Sequence, residues 1–207
     1  MRTTVVDHPL AAQLLTTLRD RETERAEFRR AVEDLSVMLL FEATRRLVTV
    51  EVTVETPLAL AVGRRVVEPP LVVPVLRAGL GMLGAVLRLL PGTETGFIGV
   101  ARDESSFQPQ PYMNAVPEQL DGRPVIVLDP MLATGGTLEH ACRVLARRGA
   151  GPMTAVVLLA APEGLERLAA SGLDVDVWTA AIDERLNEHA YIVPGLGDAG
   201  DRLFGTA

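Results

Sequence analysis

The sequence predicts an α/β domain whose mainly parallel central sheet is flanked by helices on both faces, and three observations predict it. First, short apolar runs recur at 71–76, 96–100, 125–128, 154–159 and 175–178, each the length of a strand buried on both sides. Second, segments of helical periodicity at 80–90, 137–148 and 163–170 separate several of these runs, the alternation that lays strands parallel under crossover helices. Third, 207 residues with 48% hydrophobic and 23% charged side chains have the size and composition of one large α/β domain or two small ones, which excludes disordered and collagen-like chains.

Ahead of the sheet, residues 10–20 carry Leu14, Leu15 and Leu18 at helical spacing, and residues 22–47 do so with Phe28, Val32, Leu35 and Leu39. Thr23 is placed to cap the second helix. Val48, Val50, Val52 and Val54 then alternate with Thr49, Glu51, Thr53 and Glu55, which predicts a half-buried strand or hairpin. Two stretches break the alternation. Residues 101–119, rich in Gln, Pro, Ser and Asp, are long for a connection and predict a lid or arm. The tail, 182–207, is punctuated by Pro194, Gly195, Gly197, Gly200 and Gly205, which argues against helix or strand. Its Tyr191, Ile192, Val193, Leu196, Leu203 and Phe204 nevertheless make it apolar enough to pack on the body and form a wall of something.

All 20 basic residues are arginine, and the chain holds no lysine. That excludes a P-loop lysine, a protein-kinase lysine and every Schiff-base mechanism, pyridoxal phosphate included. An anionic ligand must therefore be held by arginine, backbone N–H groups and metal. The net charge of −7 and the scattering of arginine pairs among acids leave no electrostatic footprint for nucleic acid. A single cysteine, Cys142, excludes an intrachain disulfide framework and a zinc ribbon, and its place on the Leu138, Ala141, Leu145 stripe reads as core. No run reaches the ~18 apolar residues of a membrane helix, and the N-terminal stretch carries no apolar signal core. The expectation is a cytoplasmic protein.

The strongest local signal is VIVLDPMLATGGT at 125–137, followed by a helix. A buried strand ends in a carboxylate, Asp129, and a short loop of small and hydroxyl residues opens a helix. Thr134, Gly135, Gly136 and Thr137 can turn successive N–H groups inward at a positively polarised helix end, a phosphate cradle that needs no lysine. Asp129 would repel a phosphate, so its place is beside the cradle, accepting from sugar hydroxyls or joining a Mg²⁺ shell. Taken alone, the stretch also fits a plain strand-to-helix turn with a capping threonine. Arg77, between apolar runs, is the one arginine out of place, since a guanidinium buried without a partner is costly. His140 falls opposite the Cys142 stripe and reads as solvated, and His189 has no obvious partner in Asn187-Glu188-His189.

Residues 127–137 resemble the ribose-5-phosphate motif of the type I phosphoribosyltransferases, and Pro130-Met131 after Asp129 resembles the uracil phosphoribosyltransferase branch. The likeness extends to HPL at 8–10, FEATR at 41–45, ETP at 55–57, VPVLRAGLGM at 73–82, Arg102-Asp103, AAPEG at 160–164 and YIVPGLGDAGDR at 191–202, the last being highly specific. What the resemblance implies is a type I phosphoribosyltransferase fold over 1–207, with N-terminal helices at 9–47, a core at about 66–180, an arm at about 101–119 and a C-terminal hood at about 182–207. It implies transfer of the 5-phosphoribosyl group from phosphoribosyl pyrophosphate to N1 of uracil, giving UMP and pyrophosphate. The donor site would comprise Arg77, Arg102, Asp129, Pro130, Met131, Leu132, Ala133, Thr134, Gly135, Gly136, Thr137 and Asp198, and the uracil site Ile192, Gly197, Asp198 and Ala199. Mg²⁺ would be held mainly through substrate oxygens and water, with Asp129 or Asp198 contributing. A homodimer or higher homo-oligomer follows from the same likeness. GTP binding with allosteric control belongs to part of the family, and the residues themselves do not speak to it.

In one respect the chain departs from the pattern. Many relatives carry a lysine after the tyrosine of the arm, where this chain reads Tyr112-Met113-Asn114-Ala115-Val116-Pro117. Two alternatives stand beside the implied function. A regulator that kept the fold and binds RNA or DNA would need a basic face, and a transferase for hypoxanthine or orotate would not need the 191–202 block.

Overall fold

The computed structural model describes residues 1–102 and 109–205. Strand β1 (Thr3–Val5) is followed by helices α1 (Pro9–Arg19) and α2 (Arg25–Ala43), and α2 runs into a 3-10 turn at Thr44–Arg46. Strands β2 (Thr49–Glu55) and β3 (Leu60–Val66) pair as an antiparallel hairpin of their own. The alternating part contains β4 (Leu71–Leu76), α3 (Leu80–Leu89), β5 (Phe97–Arg102), β6 (Pro109–Ala115) and β7 (Val125–Leu128). It continues with β8 (Met131–Leu132), α4 (Gly136–Arg147), β9 (Met153–Ala160), α5 (Pro162–Ala170) and β10 (Val175–Ile182). The tail adds β11 (Arg185–Leu186), β12 (Ile192–Val193) and α6 (Ala199–Phe204).

The main sheet runs β1-β10-β9-β7-β4-β5-β6, with β8 paired to the far end of β9. Every neighbouring pair in it is parallel except β5 with β6. Its inner strands β4, β7 and β9 are buried on both faces, as the apolar runs require, whereas the edge strands β1 and β6 are half-buried and exposed, respectively. In β4, Leu71, Val73 and Val75 join Leu138, Leu145 and Leu168 of α4 and α5, whereas Val72 joins Leu35, Leu39 and Met82 of α2 and α3. Successive side chains alternate between the two helical layers, and each fully buried leucine contributes about 1.5–3 kcal/mol.

Several expectations need correction. Thr23 does not cap α2: its hydroxyl donates to the Thr17 carbonyl at 2.6 Å, and Glu24 stands at the cap position without a side-chain bond. The helix ends at Ala43 rather than 47, where the Thr44 hydroxyl turns back on the Leu40 carbonyl at 2.7 Å. The 48–55 alternation does form a hairpin, but not a half-buried one. Val48, Val50, Val54 and Val62 are exposed, and among the described residues the two strands pair only with each other. The tail is not devoid of regular structure, since β11, β12 and α6 all fall within it. Of the stretch expected as an arm, 109–115 forms the edge strand β6 on β5 with a register shift at Tyr112, and residues 103–108 lie outside the described residues.

Candidate functional site

Helix α3 leaves β4 toward the layer of α1 and α2, while α4 leaves the adjacent β7 toward the opposite layer. Two neighbouring parallel strands whose continuations part in this way leave a crevice beyond their carboxyl ends, the usual ligand position in open α/β sheets. A cavity of ≈ 880 Å³ opens there.

One wall follows β4. Arg77 stands at the cavity mouth with its side chain 58% exposed and its Nη2 3.8 Å from Asp201 Oδ1. The burial cost that made this arginine look out of place does not arise, because its charge stays in water where an anion can reach it. A second wall follows β7, which ends at Asp129. The loop is tied down at once: the Pro130 carbonyl accepts from Leu158 and Leu159 N–H at 3.0 and 3.1 Å, and the Ala161 N–H donates to the Leu132 carbonyl at 2.9 Å. Pro130 and Leu132 are therefore buried supports of the loop. Gly135 then takes φ +77° at the start of α4, and a Cβ there would lie 2.7 Å from the Gly164 carbonyl oxygen. Only glycine allows that turn to rest on α5. The first N–H groups of α4 have no partner within the helix and carry its positive end.

Glu139 lies in the first turn of α4, where its charge would oppose an anion at the helix end. It is neutralised from outside. Arg167 Nε and Arg143 Nη2 approach its carboxylate at 2.7 and 2.8 Å. The Arg167 hydrogen bond, and then that of Arg143, hold the Glu139 carboxyl below its ordinary value of 4.5 against the opposing effect of burial. Cys142, one turn further on, is fully buried. Burial pushes its thiol up to about 12, with the charge of Asp129 adding to the effect, so the sulfur is inert core.

The tail forms the wall opposite. Asp198 caps α6 by accepting the Asp201 N–H at 2.9 Å. Ile192, Gly197, Asp198 and Ala199 line the cavity facing Arg77, Asp129, Met131, Ala133 and Thr137. Of the other expected residues, Gly135 and Gly136 are buried in the turn behind the cavity and Thr134 is half-buried beside them. Arg102 ends β5 opposite Pro109, and its side chain lies outside the described residues.

Sequence reasoning passed over the rim. Asn187 Oδ1 accepts the N–H groups of His189 and Tyr191 at 3.0 and 2.9 Å, which folds the loop between β11 and β12 so that His189, Ala190 and Tyr191 line the cavity. The asparagine two residues before His189 was the available signal, since Asn favours such side-chain-capped turns. Tyr112 and Asp201 also line the cavity, and neither was among the expected site residues. Among the described residues no group of three or more His, Cys, Asp or Glu could hold a metal ion, and none of their helices is long and apolar enough to cross a membrane.

Residues 5–206 match the family model described as uracil phosphoribosyltransferase. A uracil phosphoribosyltransferase of Streptomyces avermitilis is 57% identical over 210 residues, covering 100% of both chains. One of Corynebacterium diphtheriae is 53% identical over 205 residues, covering 99% of this chain and 97% of its own. Among solved structures, the AQ2163 protein of Aquifex aeolicus is similar with a TM-score of 0.94 and 37% identity, covering 99% of each chain.

Proposed function

The chain belongs to the uracil phosphoribosyltransferase family, and from that premise we propose that the crevice between β4 and β7 is where it transfers a 5-phosphoribosyl group from phosphoribosyl pyrophosphate to N1 of uracil, releasing pyrophosphate and UMP. The observation that carries this reading is the convergence on one cavity of an exposed arginine, a strand-end carboxylate with a helix N-terminus, and the glycine-rich tail.

In this reading the 5-phosphate rests on the turn 134–137, where backbone N–H groups replace the absent lysine. Asp129 accepts from the ribose hydroxyls, and Arg77, with Arg102, binds the pyrophosphate, whose oxygens suit the forked and permanently charged guanidinium. Uracil lies against Ile192, Gly197 and Ala199. It presents acceptor, donor and acceptor at O2, N3–H and O4, which backbone N–H, C=O and N–H groups complement. Cytosine reverses the O4 end, and such a mismatch at a buried site discriminates by ~10⁴–10⁵. Asp198 stands between the base and the ribose.

No residue needs to act as a nucleophile. N1 attacks C1 of the donor as the C1–O bond to pyrophosphate breaks, the N1 proton leaves to water or to a departing pyrophosphate oxygen, and the chain contributes alignment of the two substrates and positive charge at the departing oxygens. Mg²⁺ supplies further charge neutralisation of the pyrophosphate when bound. That ion would be held mainly by donor oxygens and water, with Asp129 or Asp198, which both line the cavity, contributing. We further read residues 1–207 as one domain of a cytoplasmic homodimer or higher homo-oligomer; control by GTP enters only through part of the family.

The test offers uracil, cytosine and hypoxanthine in turn with donor and Mg²⁺ and measures pyrophosphate release. Uracil alone is expected to turn over. Turnover of hypoxanthine in place of uracil would overturn the assignment of the tail.

A further inference from the structure

Behind the tail wall, outside the cavity lining, Arg19 and Asp183 form a forked ion pair. Arg19 Nη1 and Nη2 donate to Asp183 Oδ2 and Oδ1 at 2.8 and 2.5 Å, and the two side chains are 27% and 5% exposed. Both partners also grip one residue of the tail. Arg19 Nη1 donates to the Gly195 carbonyl at 2.8 Å, and the Gly195 N–H donates to Asp183 Oδ2 at 2.8 Å. Asp183 is itself seated on the sheet, its N–H donating to the Ala160 carbonyl at 2.9 Å at the end of β9.

Gly195 is the pivot of the tail wall. It takes φ +65°, a Cβ on it would lie 2.1 Å from the Ile192 carbonyl oxygen, and it stands between Ile192 and the Gly197–Ala199 stretch that faces the cavity. A buried ion pair adds little stability over an apolar pair of the same volume, because desolvation offsets its attraction. What it can supply is position. Here a carboxylate and a guanidinium capture the N–H and C=O of a single residue and set where the following backbone lies.

We infer that Arg19 and Asp183 are positioning residues for the acceptor base, fixing the 192–199 backbone through Gly195 while touching neither substrate. The inference rests on the reading of 192–199 as the uracil wall. Base recognition by backbone groups is sensitive to displacement, since a shift of about 1 Å costs on the order of 10²-fold in rate. The turn that carries the 5-phosphate is tied to β8, β9 and α5 by backbone hydrogen bonds in which neither the Arg19 nor the Asp183 side chain takes part, so the donor keeps that anchor when the pair is broken.

The experiment is steady-state kinetics of the full-length enzyme with each substrate varied in turn, for Arg19→Gln, Asp183→Asn, Arg19→Lys and Ala199→Leu. Arg19→Gln and Asp183→Asn are expected to raise the KM for uracil about tenfold or more while the KM for phosphoribosyl pyrophosphate stays within about twofold. Arg19→Lys, which keeps the charge and a donor, is expected to recover part of the loss. Equal changes in both KM values, or a lowered melting temperature with uracil KM unchanged, would overturn the inference and leave the pair merely structural. Should Arg19→Gln fail to fold, the isosteric Asp183→Asn decides alone. Ala199→Leu separates the two levels. If it raises uracil KM and the ion-pair variants do not, only this inference fails; if it leaves uracil KM unchanged, the reading of the tail fails and takes the inference with it.

Discussion

The loop after β7 and the segment after β10 face each other across one cavity, yet they are held there differently. The first is built by its neighbours: a strand end, a glycine turn and a helix start within 125–137, tied to β9 and α5 by backbone hydrogen bonds. The second takes its place from arginines of both ends of the chain. Arg19 reaches Asp183 and Gly195, Arg29 reaches the Leu203 carbonyl at 2.6 Å, and Arg202 reaches back to Leu18 and Asp20 at the end of α1. These bonds join residues 164 to 184 positions apart. A phosphate site can be local because a helix end and a glycine turn already make one, whereas a base site assembled from irregular backbone needs supports from elsewhere.

If the donor wall is held by backbone, an exposed side chain on it should matter for chemistry and not for folding. Arg77 is that side chain. Arg77→Ala is expected to lower kcat/KM for the donor by about 10²–10³, with the urea midpoint unchanged, because the guanidinium is 58% exposed and its approach to Asp201 at 3.8 Å is a surface contact. Kinetics with the donor varied, beside a urea titration, check both halves. A large loss of stability would show that Arg77 holds the tail as well, and the contrast between the walls would dissolve.

Arg202 provides the opposite case. Its Nη1 donates to the Leu196 carbonyl at 2.8 Å and to that of Leu18, its Nη2 donates to Asp20 O at 2.6 Å, and its guanidinium lies 4.1 Å from the centre of the Phe28 ring. The carbonyls of Leu18 and Asp20 belong to the end of α1, where the helix favours a cation. Arg202→Ala is expected to destabilise by about 2–3 kcal/mol through unpaired carbonyls and lost packing, read as a lower urea midpoint. Its effect on kinetics should appear in the KM for uracil rather than for the donor. Activity lost with the midpoint unmoved would mean that Arg202 acts in the site and not behind it.

The same division decides what the sequence could disclose. The parallel sheet was legible because strands covered on both faces are short uninterrupted apolar runs, and the donor loop because its strand, carboxylate and glycines are contiguous. The 48–55 hairpin was legible as a hairpin from its period of two, but that period marks alternation and not what lies above it, and here Val50 and Val54 are exposed. The tail block was recognisable as a resemblance, while β11, β12 and α6, of two, two and six residues, were invisible to periodicity. Arg19 gave no sign at all: on sequence it is one more arginine in a helix, and its role appears only when folding brings Asp183 and Gly195 beside it. Thr23 misled for a related reason, since a hydroxyl placed to cap a helix can bond to the Thr17 carbonyl instead.

The smallest expected effect tests whether the outside of the donor wall is electrostatically tuned. Glu139 sits 15% exposed between Arg143 and Arg167, which are 43% and 39% exposed, and its carboxyl titrates below its ordinary value of 4.5 chiefly through the Arg167 hydrogen bond. A carboxyl depressed in the folded state binds fewer protons there than when unfolded, so its contribution is fully present above the ordinary value and is lost as pH falls through the depressed one. The contribution is on the order of 1 kcal/mol, since both arginines remain in contact with solvent. Glu139→Gln should therefore lower the urea midpoint at pH 7, and the difference from the parent should shrink as the pH falls below about 4.5. At neutral pH the substitution also removes a negative charge from the first turn of α4 and leaves two arginines beside the phosphate turn. The KM for the donor should fall slightly or stay the same. If instead it rises, the arginines were being held away from the turn for a reason, and the donor wall depends on side chains more than its backbone bonds suggest.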